Sequence, residues 1–357
     1  MNSKNTLHIT FEFGTDIVGG IGTVVNELYS KRKENERFMF LSSREDNSHL
    51  KNQDSLFLID INELDKGLNK CNIEEFIPGY ITDIVIHSFM FFKQFELNFE
   101  SYNIHYVIHS MPDIEKLYNV LPDEYIQSFT DGLVISDSLI VVSEYEKKRL
   151  YNTLKLNNLD NKKVSVIYNG IKSINENNNS FSKGKELGYI GRIDGRKGIL
   201  NLLKRMNSLP NYNLKIAGGG LMSTYVYNQL IAYNGFLNNI DLLGFCIGER
   251  KKSFFKSINY LIIPSVYEPF GITVLESIQH GVIPIIPSYG GPVEIMGEDY
   301  PYQFNPNKDG TLEEVLRDIE DIKEKDLMKQ IKKNYEILNK FSVDKMVDNY
   351  RSLIERK

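Results

Sequence analysis

The sequence predicts an α/β protein made of two doubly wound domains in tandem. Three observations carry this. Compact apolar runs of strand length alternate with helix-like runs along nearly the whole chain, the pattern of parallel βαβ units. The alternation stops once, in the polar, Asn-rich stretch IKSINENNNSFSKGKE, and then restarts. The length of 357 residues exceeds one ordinary core and suits two domains of typical size. The expected boundaries are a first domain over 1–170, a linker over 171–186 and a second domain over 187–340. A last helix is expected over 341–357.

Each element follows from its local pattern. Residues 7–13, LHITFEF, read as a strand. Gly19, Gly20 and Gly22 form a turn, and Thr23 to about Lys33 reads as a helix. FMFLSS, TDIVIHSF, IHYVIHS, SLIVVS and VSVIYNG are further buried strands, with the amphipathic helix EYEKKRLYNTL before the last of them. In the second half the strands are ELGYIGR, NLKIAGGG, IDLLGF, YLIIPS and VIPIIP. Helices are expected at ILNLLKRM, LMSTYVYNQLIAYNG and KKSFFKSI, around Glu276, and as one long helix within 311–338. In the closing SVDKMVDNYRSLIERK, Ser342 is the expected N-cap, and Val347, Tyr350 and Leu353 share one face.

Composition narrows the function class. Apolar content is 41% and charged content 25%, ordinary for a globular protein. A formal net charge of −5 predicts no bulk attraction to nucleic acid. Lys31, Arg32 and Lys33, and Lys147, Lys148 and Arg149, read as solvated helix ends, with peripheral contact at a membrane face the other reading. The two cysteines, Cys71 and Cys246, fall in different halves, which argues against a structural disulfide and for a reducing compartment. No apolar signal segment precedes the first strand, and no apolar run approaches the ~20 residues of a membrane span. The expected location is cytoplasmic, including the inner membrane face.

The chemistry concentrates in SVYEPFGITVLESIQHG. Glu268 lies in a loop with Pro269, Phe270 and Gly271, and Glu276 lies in the helix that the loop opens. A strand end, a Gly-containing turn and a helix N-terminus make an anion site. Two carboxylates beside such a site suit a ligand with both a diphosphate and hydroxyls, which a nucleotide sugar has. In GRIDGRKG, Arg192 and Lys197 could stabilise a pyrophosphate leaving group. Two surface cations near a turn would read the same way. There is no GxxxxGK[ST], and GGIGTVVNE does not fit GxGxxG. No Asp–x–Asp metal–diphosphate signature and no CxxC or His-rich cluster is present, so no metal is expected. His109 and His87 both end buried strands, where an unpartnered polar group is costly. His109 is preferred as functional because a Pro-containing loop follows it; His87 is read as structural.

In their order along the chain, GGIGTVVNEL, VIHS, VVSEYEKKRL, VIYNG, YIGRIDGRKG, LKIAGGG, LLGF, EPFGITVLES and GGPVEI resemble the retaining glycosyltransferases of the GT-B fold, glycosyltransferase family 4, in the glycogen-synthase-like superfamily. The resemblance runs nearly end to end and is strongest over 187–296. It implies two Rossmann-like domains facing a cleft, the final helix crossing back to the N-terminal domain. It places Glu268 by the donor hexose, Glu276 on the ribose, and Arg192 and Lys197 on the diphosphate. Amides of Phe270, Gly271, Ile272 and Thr273 would complete the sugar and phosphate site. Leu243, Gly244 and Phe245 would meet the base through backbone groups. Gly20 would bring backbone close to the donor, and His109 would contact the transferred sugar. Members act without a metal. Ser277 stands where the family usually has Ala, and Pro269 follows the glutamate as in only some members.

The resemblance implies a metal-independent hexosyltransferase using a UDP- or GDP-sugar, without a cofactor. Its acceptor would be a glycan, glycolipid or other glycoconjugate. Two other readings share the fold: a nucleotide-sugar 2-epimerase and a catalytically silent nucleotide-sugar-binding subunit. The first needs an acid–base set that the sequence does not display. The second would be expected to have lost one of the site residues.

Overall fold

The computed structural model describes residues 4–13, 19–42, 55–61, 70–117, 124–172, 181–220 and 239–355, with Tyr225, Asn228, Gln229 and Ala232 between. The helix expected at LMSTYVYNQLIAYNG lies mostly outside these residues. Two compact units result. One comprises most of the chain up to Gly170 together with Val343–Lys357, and the other is built on Ile171–Ser342.

The first unit carries strands β1 (Thr6–Thr10), β2 (Glu36–Ser42), β3 (Leu56–Asp60), β4 (Cys71–Asn72), β5 (Asp83–Ile86), β6 (Phe95–Glu96), β7 (Asn103–Ile108), β8 (Ser138–Val141) and β9 (Lys163–Val166). Seven of them form a sheet in the order β3-β2-β1-β5-β7-β8-β9, and β4 and β6 pair separately. Every pairing in the large sheet is parallel. β1 and β5 are neighbours, and the strands that follow each of them run outward in opposite directions. The topological switch point, where such sheets bind ligands, therefore lies between β1 and β5. β1, β5 and β7 are buried nearly throughout, as strands covered on both faces must be. β3, in the run LFLID, is a strand that the sequence reading did not include.

Helix Glu144–Leu156 starts where expected, because the hydroxyl of Ser143 accepts the Glu146 N–H at 3.0 Å. The last helix, Val343–Glu355, buries Val343, Met346, Val347, Tyr350 and Ile354. They join one apolar core with Val24, Val25, Leu28, Phe38 and Val85 of this unit. Arg351 donates to both carboxylate oxygens of Glu36, at 2.7 and 2.9 Å.

The second unit carries β10 (Glu186–Ile190), β11 (Asn213–Ala217), β12 (Ile240–Gly244), β13 (Tyr260–Ile262), β14 (Ile283–Pro287) and β15 (Gln303–Phe304). Their order is β12-β11-β10-β13-β14-β15, all parallel, with the switch point between β10 and β13. The single helix expected within 311–338 is instead two, Thr311–Asp321 and Glu324–Leu338. Leu312, Val315, Leu316 and Ile319 are the buried face of the first. Continuing that phase would turn Lys323 and Asp326 inward. The chain breaks at Ile322, which is extended at φ −76° and ψ 134°, and the second helix restarts in a phase that buries Leu327 and Ile331.

Candidate active site

In the second unit the switch point brings together the loop after β10 and the loop after β13. Asp194 opens the first loop's short turn, its Oδ1 accepting the Lys197 N–H at 3.0 Å. Gly198 follows in the left-handed region at φ 69°, and a Cβ there would lie 2.0 Å from the carbonyl oxygen of Pro264. Only glycine allows that approach. The Val266 N–H donates to the Arg196 carbonyl at 3.0 Å, which ties the two loops a second time.

This seam delivers Lys197 to Glu268. The lysine Nζ lies 2.6 Å from Glu268 Oε2, and the Ser265 hydroxyl donates to the same oxygen at 3.1 Å. Oε1 of Glu268 has no partner among the described residues. Burial alone would raise the Glu268 pKa. The charges of Lys197 and Arg196, with the two hydrogen bonds, overcome burial and hold it below the usual carboxylate value. Burial also lowers the Lys197 pKa, against the pull of Glu268. The geometry is that of a close lysine–carboxylate pair. Arg192, expected to act beside Lys197, sits near Asp194 at 3.4 Å, its side chain 32% exposed.

A third loop locks the Glu268 loop from behind. Gly291 donates its N–H to the Glu268 carbonyl at 3.0 Å. A Cβ on Gly291 would lie 2.3 Å from the Phe270 Cα. The loop then opens helix Ile272–Gln279 through Gly271, left-handed at φ 97°. The first-turn N–H groups of that helix, at Ile272 and Thr273, lie beyond the reach of intrahelical acceptors. Phe270 is buried and packs edge-on against Phe341.

Glu276, on this helix, is 8% exposed. Its Oε1 accepts from Lys251 Nζ at 2.6 Å, and its Oε2 is buried with no hydrogen-bond partner among the described residues. Lys251 was not singled out in the sequence. It comes from helix Gly248–Lys256, which follows the turn containing Leu243, Gly244 and Phe245. Gly244 is left-handed at φ 66°, and its carbonyl accepts the Gly218 N–H at 2.8 Å. The Leu243 carbonyl accepts from Arg250 at 2.8 Å, and Phe245 is 54% exposed.

Gly20 and His109 belong to the first unit. Gly20 opens helix Gly20–Ser30, and no heavy atom lies within 4 Å of a Cβ built on it. Glu12, absent from the sequence candidates, accepts the N–H groups of Gly19 and Gly22 through one oxygen at 3.0 and 3.1 Å. It supplies the negative charge that a helix N-terminus favours. His109 follows the end of β7, and His87, read as structural, follows the end of β5. The two rings are hydrogen-bonded, His87 Nδ1 to His109 Nε2 at 3.3 Å. The structure thus joins the two histidines that the sequence reading set apart. Cys71 and Cys246 are not joined by a disulfide. Among the described residues, no helix is long and apolar enough to cross a membrane.

Residues 171–337, which contain Arg192, Lys197, Glu268 and Glu276, match the family described as Glycosyl transferases group 1. An uncharacterized glycosyltransferase of Methanocaldococcus jannaschii is 32% identical over 205 residues, 52% of this chain, and the chain spans 50% of that relative's length. A sucrose-phosphate synthase from Thermosynechococcus elongatus superposes with a TM-score of 0.72 at 17% identity, over 99% of this chain and 100% of that one. HepE from Anabaena, in complex with UDP and glucose, superposes with a TM-score of 0.75 at 14% identity, over 99% and 100%. The likeness to these structures shows the GT-B fold.

Proposed function

We propose that the protein is a glycosyltransferase that moves a hexose-type sugar from a nucleotide-diphosphate sugar to a glycan, glycolipid or other glycoconjugate. The observation that supports it most is where the family match falls. Its segment contains Lys197 and Glu268, paired at the switch point of a parallel sheet, and Glu276 on the helix that the Glu268 loop opens. Each glutamate gives one oxygen to a lysine and keeps the other. A ligand rich in hydroxyls suits two such acceptors.

In this reading the orphaned Oε2 of Glu276 accepts a ribose hydroxyl, which relieves the cost of a buried unpaired oxygen. Oε1 of Glu268 receives a hexose hydroxyl. Arg192, Lys197 and the amides of Phe270 to Thr273 take the diphosphate, whose charge grows as the glycosidic bond breaks. Backbone of Leu243, Gly244 and Phe245 receives the base, and Gly20 belongs to the donor site. His109 bonds the transferred sugar as a neutral imidazole. The complex of HepE with UDP and glucose supports a UDP-sugar, with a GDP-sugar as the other candidate. Retention of configuration, metal independence and a cytoplasmic location are parts of the same proposal, with peripheral contact at the inner membrane face the other reading of the basic helix ends.

The test is nucleotide-diphosphate release over a panel of donors, with and without acceptors, in EDTA and with Mn²⁺ restored. Acceptor-dependent release, with the product keeping the donor's anomeric configuration by proton NMR coupling, is the expected result. Conversion of the donor to its 2-epimer without acceptor, and without net release of nucleotide diphosphate, would establish the non-hydrolysing 2-epimerase instead. Tight donor binding with no turnover on any acceptor would favour the silent binding subunit.

A further inference from the structure

Three imidazoles form a continuous hydrogen-bonded row in the first unit. His8 Nδ1 lies 3.1 Å from His87 Nε2, and His87 Nδ1 lies 3.3 Å from His109 Nε2. Successive ring centroids are 5.4 and 5.6 Å apart, with planes 24° and 28° from parallel. The row crosses three adjacent strands of the sheet, from within β1 to the ends of β5 and β7. It starts at the buried His8, stacked on Phe38 at 4.6 Å, and ends at the partly exposed His109. Tyr350, from the last helix, borders both His8 and His87.

Each N···N contact needs one N–H and one lone pair. A neutral imidazole carries one of each. Two arrangements alone satisfy both contacts. In one, all three rings hold the proton on Nδ1; in the other, all three hold it on Nε2. Any mixture sets two lone pairs or two protons against each other. His109 Nδ1 has no partner among the described residues, so it is the row's outward end. It is a donor in the first arrangement and an acceptor in the second.

We propose that His8 and His87 are positioning residues that lock His109 into a single tautomer, shared along the row, and so fix whether its Nδ1 donates to or accepts from a sugar hydroxyl. The consequence for turnover rests on the proposed role of His109; the tautomer lock does not. Burial keeps the rings neutral, as the lock requires. It holds the pKa of His8 down to about 4, against the pull of Glu36 and with the help of His105 and Arg351. It holds His109 down to about 4 as well. His87 is held well below the ordinary value by burial and by its two histidine neighbours. A shared hydroxyl contact is worth most when the protein offers it preorganised, without a tautomer shift at the moment of reaction.

The experiment has a spectroscopic arm and a kinetic arm. Long-range ¹H–¹⁵N correlation spectra of the full chain, labelled with ¹⁵N-histidine at pH 7.5, report each ring's tautomer. Single substitutions of His8, His87 and His109 assign the signals. The expected result is three neutral rings of one common tautomer. Unlike tautomers along the row, or averaged shifts at His109, would overturn the lock. In the kinetic arm, His87→Phe keeps the ring and removes both bonds, and kcat should fall about 10-fold or more, the scale of one hydrogen bond. His87→Asn places an amide near the Nδ1 position and should recover most of kcat. His87→Gln places it near Nε2, on the His8 side, and should not. A merely structural histidine predicts no such order, and equal rescue by both would overturn the positioning role. His109→Ala separates the two proposals. If it turns over normally, the role of His109 in the reaction falls, while the spectra still decide the lock.

Discussion

Lys197 and Glu268 are 71 positions apart in the chain and 2.6 Å apart at the switch point of the second sheet. The pair couples two tasks, because the ammonium that would meet a diphosphate also holds the carboxylate that would meet the hexose. Lys197→Ala should weaken nucleotide-diphosphate binding by about 1.5–3 kcal/mol, the scale of hydrogen bonds to charged groups. It should also lower stability, because Glu268 stays buried with its lysine gone. Glu268→Ala should mainly lower turnover. In urea unfolding, the double variant should lose less stability than the two single losses predict. Arg192, half-exposed beside Asp194, offers the contrast. Arg192→Ala should weaken binding on the same scale and leave the melt nearly unchanged. Calorimetric titration with nucleotide diphosphate and urea melts on the four variants decide this; additive stability losses would break the coupling argument.

Glu276 should behave differently from Glu268. Its Oε2, buried and without a hydrogen-bond partner among the described residues, suits a contact made equally in the ground and transition states. Glu276→Ala should therefore raise KM for the donor and leave kcat near its original value. Lys251→Met should produce a weaker version of the same change, since it removes the bond that orients Oε1. Steady-state kinetics with the preferred donor are the check. A fall in kcat at unchanged KM would place Glu276 at the reacting sugar.

Much of this was legible in the sequence because it is local. A compact apolar run followed by a glycine turn marks a strand end, and both switch-point loops of the second unit are of that kind. Glu268 and Glu276 could be read because loop and helix are contiguous. What escaped is non-local. Nothing in EYEKKRLYNTL or SVDKMVDNYRSL states that Tyr350 would border His8 and His87. Lys251 sits on an ordinary charged helix until folding brings it 2.6 Å from Glu276. Glu12 caps a helix seven and ten residues further on, across the turn between them. His87 and His109 looked like alternatives because each ends its own strand. Parallel neighbours in register, β5 against β7, put their ends side by side.

Acid should destabilise the first unit in a defined window. His8 and His109 titrate near 4 in the folded chain, against an ordinary 6.5. Between those values the unfolded chain binds protons that the folded chain does not, so stability falls as pH falls. Each histidine contributes a loss of about 1.4 kcal/mol per pH unit across that window. Above about pH 6.5 neither adds any slope. His8→Phe should remove part of the slope between pH 6.5 and 4 in urea melts followed by circular dichroism. An unchanged slope would mean that the ring is not held neutral by burial.

Gly198 tests whether the two switch-point loops act as one device. It is left-handed at φ 69°, where a side chain costs about 1–2 kcal/mol before any collision. The collision is with backbone, because a Cβ would stand 2.0 Å from the Pro264 carbonyl oxygen. Neither loop can give way alone, since the Val266 N–H is also bonded to the Arg196 carbonyl at 3.0 Å. Gly198→Ala should therefore part the loops and pull Lys197 away from Glu268. Two outcomes are expected together: a loss of stability of about 2 kcal/mol or more, and a loss of nucleotide-diphosphate binding comparable to Lys197→Ala. Gly20→Ala is the control, because its Cβ meets nothing within 4 Å. It should melt like the parent chain. Differential scanning calorimetry and binding titrations on both variants make the comparison. A Gly198→Ala protein that is less stable but binds nucleotide diphosphate normally would show that the seam shapes the fold without setting the position of Lys197.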